Sequence, residues 1–423
     1  MAMRTERPRA TRVGCLAMIV LLASGSSVSG AQQTVVVSPA GSVRTITSAV
    51  HLVAPGGRIV VKPGTYREPT IIVDRAVVIE GEGLPVLDGE GARQIMSVAA
   101  DDVTVRGLHF VNVGTSYVED RAAIKVAGAR RCVIADNRFD DAFFGIYLAE
   151  ASDCRVERNV LRATTRGESG SGNGIHLWSS RNITVAGNHI TGHRDGIYLE
   201  FTHDSDVRGN LSEANLRYGL HFMYSNDCRY RDNIFRHNGS GVAVMYTKNV
   251  EMTGNRFEQN WGGAAYGLLL KEITDSRLES NVFERNTTAL LADGANRLRV
   301  DHNEFIGNGW AVKLEASTID GRFTRNDFVA NTFDVVTNSR QISSTFAGNY
   351  WDSYAGYDLD RDGVGDVPHW PVRLFSLLAA RVEPALVLLR SAFVELLDAT
   401  ERVVPALTPA TVNDPLPAMR RNS

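Results

Sequence analysis

The stretch Asn233-Ile-Phe-Arg-His-Asn238-Gly-Ser-Gly241-Val-Ala-Val-Met245-Tyr-Thr-Lys-Asn-Val-Glu-Met252-Thr-Gly-Asn255 decides the fold, because it runs from one repeating asparagine to the next. Equivalent asparagines stand at Asn137, Asn159, Asn188, Asn210, Asn233, Asn255, Asn281, Asn303, Asn326 and Asn349, at spacings of 22, 29, 22, 23, 22, 26, 22, 23 and 23 residues. A period in this range marks a solenoid, whose units bury their apolar faces only against each other. About eight residues after most of these asparagines, a Gly or Ala opens a short apolar run, as in Gly174-Ile-His-Leu-Trp178, Gly219-Leu-His-Phe-Met223 and Gly267-Leu-Leu-Leu-Lys271. The runs are too short for helices and lack the 3.6-residue period of helical repeats.

An apolar residue precedes each asparagine by three positions (Val207, Tyr230, Met252, Leu278), another follows it by two (Phe235, Phe257, Phe283), and a second asparagine file follows by five, from Asn215 to Asn331. Amides stacked at the ~4.8 Å strand spacing hydrogen-bond along the column and satisfy turn backbone that would otherwise be buried unpaired. The pattern predicts an all-β, right-handed parallel β-helix over residues 32–371, opened by a brief helix in Ile46–Val53. Residues 372–407 have a helical pattern instead and predict two short helices joined near Pro384. Residues 408–423 read as a flexible, Pro-rich tail.

Arg4, Arg7, Arg9 and Arg12 precede the apolar run from Val13 to Ala23, and Ser29-Gly-Ala31 supplies small residues for cleavage, so residues 1–31 read as a secretory signal peptide and the mature chain as periplasmic. Cys132, Cys154 and Cys228 share the inward phase and are expected to be buried, unbridged small hydrophobes. With 45 basic residues against 48 acidic, the chain carries no field suited to nucleic acid.

Strand alternation assigns the chemistry. Positions one and three after the Gly are apolar throughout, while positions two and four include Lys313 and Glu315 and must therefore face outward. His221, Met223 and Met245 share that outward phase on adjacent coils. Thioether and imidazole donors form a soft set that suits Cu(I) better than calcium, magnesium or zinc. The alternative is a docking patch in which Trp178 and Tyr198 accompany these residues. The two are compatible, since a copper-transfer site must also dock a partner.

Arg217-Tyr-Gly-Leu-His-Phe-Met-Tyr-Ser-Asn226, Gly241-Val-Ala-Val-Met-Tyr246, Gly263-Ala-Ala-Tyr-Gly-Leu-Leu-Leu-Lys-Glu-Ile273 and Asn349-Tyr-Trp-Asp352 resemble the NosD family, periplasmic β-helix proteins of nitrous-oxide reductase maturation. The resemblance extends over nearly all of the mature chain. It implies a protein that works with an ABC transporter membrane subunit and a copper chaperone to assemble the reductase's copper-sulfur cluster; taken with the outward donors above, the expectation is a non-enzymatic relay of copper that touches the membrane only through its partner.

Asp358, Asp360 and Asp362 alternate ahead of Gly363, with Asp366 beyond, as in the first half of a calcium loop, although His369 occupies the twelfth position where an acidic ligand belongs. A structural Ca²⁺ in residues 358–366 is the expectation. The C-terminal helices are interrupted by Arg381, Glu383, Pro384, Arg390 and Glu395 and cannot span a bilayer. They either cap the solenoid or, through residues such as Leu386 and Phe393, dock onto the transporter. The competing function is carbohydrate binding or polysaccharide cleavage, for which Asp195, Glu200, Asp206 and Glu272 are available. In the column that carries Met223 and Met245 the sequence suggests no carboxylate pair on adjacent coils.

Overall fold

The computed structural model describes residues 33–422, apart from 117, 165, 166, 264, 340, 341, 390 and 405–411. The predicted signal peptide lies outside them. Successive coils stack into three parallel sheets of 14, 12 and 13 strands, each strand pairing with its equivalents one coil away. This is the parallel β-helix that the 22-residue period predicts.

The period arises at a corner of the coil. Asp232, Gly254, Ser280 and His302 take left-handed backbone angles immediately before a ladder asparagine, turning the chain sharply from the 14-stranded sheet into the 13-stranded one. Such a corner buries backbone donors, and the asparagine satisfies them. Asn233 donates through both its backbone N–H and Nδ2 to Asn255 Oδ1, at 3.1 and 2.9 Å, and Nδ2 also reaches the Val207 carbonyl at 2.9 Å. The same pattern repeats from Asn137 to Asn326. The second file, Asn215 to Asn331, is hydrogen-bonded in the same way. The asparagines of the two files thus find their partners one coil on, which helps to fix the register of the sheets.

Inside, like stacks on like. The rings of Phe257, Phe283, Phe305, Phe328 and Trp351 follow one another at 4.6, 4.9, 4.9 and 4.1 Å. Truncating one of them to Ala is a core deletion of about 3–5 kcal/mol. Cys132, Cys154 and Cys228 are buried and free, as expected.

The N-terminal helix α1, Ile46–Leu52, is capped by Thr45 and buries Ile46, Ala49 and Val50 in the core. At the other end the expectations need correction. The tail read as flexible is ordered over 412–422, because Asp414 continues the asparagine ladder: its Oδ2 accepts from Asn349 N and Asn349 Nδ2, both at 2.9 Å. A carboxylate supplies the last rung, which a search for asparagines misses. The helical segment comprises α2 (Leu374–Arg381), a 3-10 turn (Glu383–Leu388) that contains Pro384, and α3 (Ala392–Val403). α2 lies at the last strand of the 12-stranded sheet, and its Leu377 packs against the main core. Phe375, Ala379 and Val394 pack against Trp310, Phe333 and Val336 on the outer face of the 12-stranded sheet.

Candidate functional site

The outer face of the 12-stranded sheet carries the candidate residues in columns set by strand register. One column runs Tyr147, His176, Tyr198, His221, Ala243, Leu269; its neighbour runs Trp178, Glu200, Met223, Met245, Lys271. Met223 and Met245 are directly paired on adjacent strands and both are partly exposed, as strand phase predicts. Two thioethers one strand spacing apart can converge on one soft ion.

His221 departs from expectation. It points away from the core yet is only 5% exposed, because aromatic side chains on the same face enclose it. Tyr198 stacks on its ring at 4.7 Å and 20°, and the Tyr218 ring lies 4.8 Å away. Neither ring nitrogen is hydrogen-bonded. The nearest charge is Asp195, itself 0% exposed, whose Oδ2 is 3.7 Å from His221 Nδ1. Arg194 and Arg217 flank that carboxylate at 3.7 and 3.8 Å. His176, one coil beyond Tyr198, is pushed down to about 3, mainly by burial and then by Arg194, so it is neutral across the physiological range. Position parity was legible in sequence, but the aromatic neighbours that close over His221 were not.

Tyr198, expected on a docking surface, is also buried, and its hydroxyl donates to Met223 Sδ at 3.4 Å. Trp178 is partly exposed. Leu386 packs partly buried against the helical cluster, whereas Phe393 on α3 is 52% exposed, and Val387 and Leu396 are exposed as well. Among the docking candidates on the helices, only Phe393 therefore faces outward. Sequence reading missed a third exposed strip: Phe201, Tyr224 and Tyr246 stack at 5.2 and 5.1 Å just beyond Glu200, Met223 and Met245. Each takes the left-handed backbone region, which bulky side chains rarely adopt. The signal was the aromatic after the outward residue on three successive coils.

The carboxylates of Asp358, Asp360 and Asp362 lie within 4.8 Å of one another. Asp366 instead accepts the Leu359 N–H at 2.7 Å. A bond from the Asp362 N–H favours the charged form of Asp360, but its acidic neighbours outweigh this and raise its pKa. A cation at the loop would relieve that crowding. Of the acids considered for carbohydrate chemistry, Asp206 is tied to Arg208 and Arg231. The expectation of no carboxylate pair in the Met column is wrong, because Asp293 and Glu315 continue that column on adjacent coils beyond Lys271. Burial, with Asp293 next, raises the Glu315 carboxyl.

Residues 162–356 match the family described as periplasmic copper-binding protein (NosD). The chain is 32% identical over 388 residues to a Pseudomonas aeruginosa protein named "Probable ABC transporter binding protein NosD", covering 86% of this chain and 88% of that one. A Stutzerimonas stutzeri protein of the same name is 27% identical over 368 residues, covering 82% and 84%. Among solved structures, a DFA-IIIase from Arthrobacter chlorophenolicus A6 superimposes with a TM-score of 0.51 at 14% identity, covering 78% of this chain and 97% of that one, a likeness of fold alone. Among the described residues no helix is long and apolar enough to cross a membrane.

Proposed function

The chain belongs to the NosD family, and from that premise we propose that it accepts Cu(I) in the periplasm and relays it during assembly of the nitrous-oxide reductase copper-sulfur cluster, without changing any substrate covalently. The observation that carries this is the directly paired, partly exposed Met223 and Met245. Methionine on a solvated β face has no packing role, and two in register offer the soft donors that Cu(I) prefers. His221 stands behind the pair, enclosed by Tyr198 and Tyr218, so the thioethers are the first donors an incoming ion meets. A copper chaperone would deliver at this face and the reductase would receive from it.

The names of the relatives support contact with an ABC transporter, and the exposed apolar residues Val387, Phe393 and Leu396 are a suitable surface for its membrane subunit. Export would rest on residues 1–31. The 358–366 loop would hold a structural Ca²⁺. Polysaccharide cleavage has one observation in its favour, the Asp293/Glu315 pair. Against it, Asp293 accepts the Ser317 hydroxyl at 2.8 Å and Glu315 accepts from Asn338. The aromatic strip also turns its faces to one another, leaving edges where a sugar ring would need a face.

The test is anaerobic Cu(I) titration of the mature chain against the Met223→Leu, Met245→Leu double variant. Leucine conserves volume at a cost below about 1.5 kcal/mol, so the fold persists while the donors are lost. Copper binding and reductase maturation should disappear together. Met252→Leu, in the buried core, should change neither. Undiminished Cu(I) binding by the double variant would move the relay site elsewhere and leave these methionines as a protein interface.

A further inference from the structure

We propose that Tyr198 is a positioning residue that holds the Met223 thioether away from Met245 and so lowers the pair's affinity for copper until Met223 is released, an inference that rests on the copper function above. Three observations carry it. The strand of Met223 lies between that of Tyr198 and that of Met245, and the Tyr198 hydroxyl donates to Met223 Sδ at 3.4 Å. The sulfur is therefore drawn toward the coil on the side opposite Met245. The Tyr198 ring cannot follow a departing sulfur, because it is 9% exposed and sandwiched between His176 and His221 at 4.7 Å each. The contact can break only by movement of Met223.

The hydroxyl has a second acceptor on its own strand. Glu200, two residues on and in the same outward phase, offers its carboxylate to the hydroxyl. When the sulfur leaves, rotation of the O–H toward Glu200 leaves no buried donor orphaned, which keeps the movement reversible. For both thioethers to bind one Cu(I), the two sulfurs must meet between strands ~4.8 Å apart. Met223 must then give up Tyr198. The arrangement gives a weak resting affinity that suits a protein meant to pass its cargo on.

The test is Tyr198→Phe, which keeps the stacked ring and removes only the hydroxyl, in protein with ¹³C-labelled methionine methyl groups. The Met223 methyl resonance should shift while those of Met245 and Met252 stay in place, a change that a purely structural role for the ring would not produce. Cu(I) affinity, measured by competition with a chromophoric chelator, should rise about three- to tenfold, the equivalent of one neutral hydrogen bond. Adding Met223→Leu should cancel the gain. An unmoved Met223 resonance, or an affinity that is unchanged or lower, overturns the proposal while leaving the copper function intact if the parent chain binds Cu(I). Failure of the parent chain to bind Cu(I) overturns both.

Discussion

Asp414 is the residue whose loss should most damage the C-terminal end of the solenoid. It is 0% exposed and receives five hydrogen bonds. Oδ2 accepts from Asn349 N and Nδ2 at 2.9 Å and from Trp351 Nε1 at 3.2 Å, while Oδ1 accepts from Gly348 N at 3.2 Å and Leu416 N at 3.0 Å. A carboxylate suits the last rung because all five partners are donors and no further coil needs an amide in return. Asp414→Ala strands the Asn349 and Trp351 donors in a buried site, at roughly 1–3 kcal/mol each less what water recovers, or about 3–6 kcal/mol. Asp414→Asn keeps one acceptor for that trio but turns an NH₂ toward Gly348 and Leu416, so it should cost about 1–3 kcal/mol. In a solenoid such a loss falls on the terminal coil rather than on the whole chain. Hydrogen exchange is therefore the assay. Amides of residues 345–351 should lose at least about 100-fold in protection in Asp414→Ala, since 1.4 kcal/mol is tenfold, with Asp414→Asn in between and the central coils unchanged. Protection within threefold of the parent in Asp414→Ala, or a more severe effect from Asn than from Ala, would refute the reasoning.

Chelation should lower the melting temperature if a cation occupies the 358–366 loop, and Asp360→Ala should abolish the difference; equal melting of the parent with and without calcium removes the site. Asp334 is buried and its carboxyl is pushed up to about 6, first by burial and then by Asp352. The native state thus holds a proton that the unfolded chain releases above about pH 4, so stability falls as pH rises from about 4 to about 6, by about 3 kcal/mol. Asp334→Asn should be free of that loss, and urea midpoints at pH 4 and pH 7 that keep the same gap between variant and parent would exclude it. Replacing residues 374–404 by a short linker, with 412–422 retained, should leave the β-helix folded but abolish co-purification with the transporter membrane subunit. Deletion of everything from Val372 would also remove the Asp414 rung, and could not separate docking from stability.

The solenoid was legible because its determinants are local and periodic: Asn233 and Asn255 are equivalent in sequence and consecutive in space, and alternation alone puts Met223 outward. What sequence could not give were closures between distant segments. Asp414 meets Asn349 across 65 residues, and no motif announces that partnership. The burial of His221 depends on Tyr198 and Tyr218, on the preceding coil and on its own strand. Parity distinguishes the core side of a strand from the other side, but not solvent from a second layer of side chains. The Asp293/Glu315 pair, by contrast, was legible from the same alternation, since each acid stands four residues after the small residue that opens its strand, Ala289 and Ala311.

The same register places the two proposed functions on one surface. The helical segment leaves the solenoid after the last coil and returns through 412–422, so it is tethered at both ends, and it rests on Trp310, Phe333 and Val336. Trp310 belongs to the sheet that carries Met245, three strands further along, which at ~4.8 Å per strand is about 14 Å. The helical segment that would present Val387, Phe393 and Leu396 to a membrane subunit thus rests on the same sheet as the thioether pair, a few strands along it. For the proposed relay that separation matters, because a surface held at the membrane would have to leave the donors open to the protein that would bring copper and to the one that would take it.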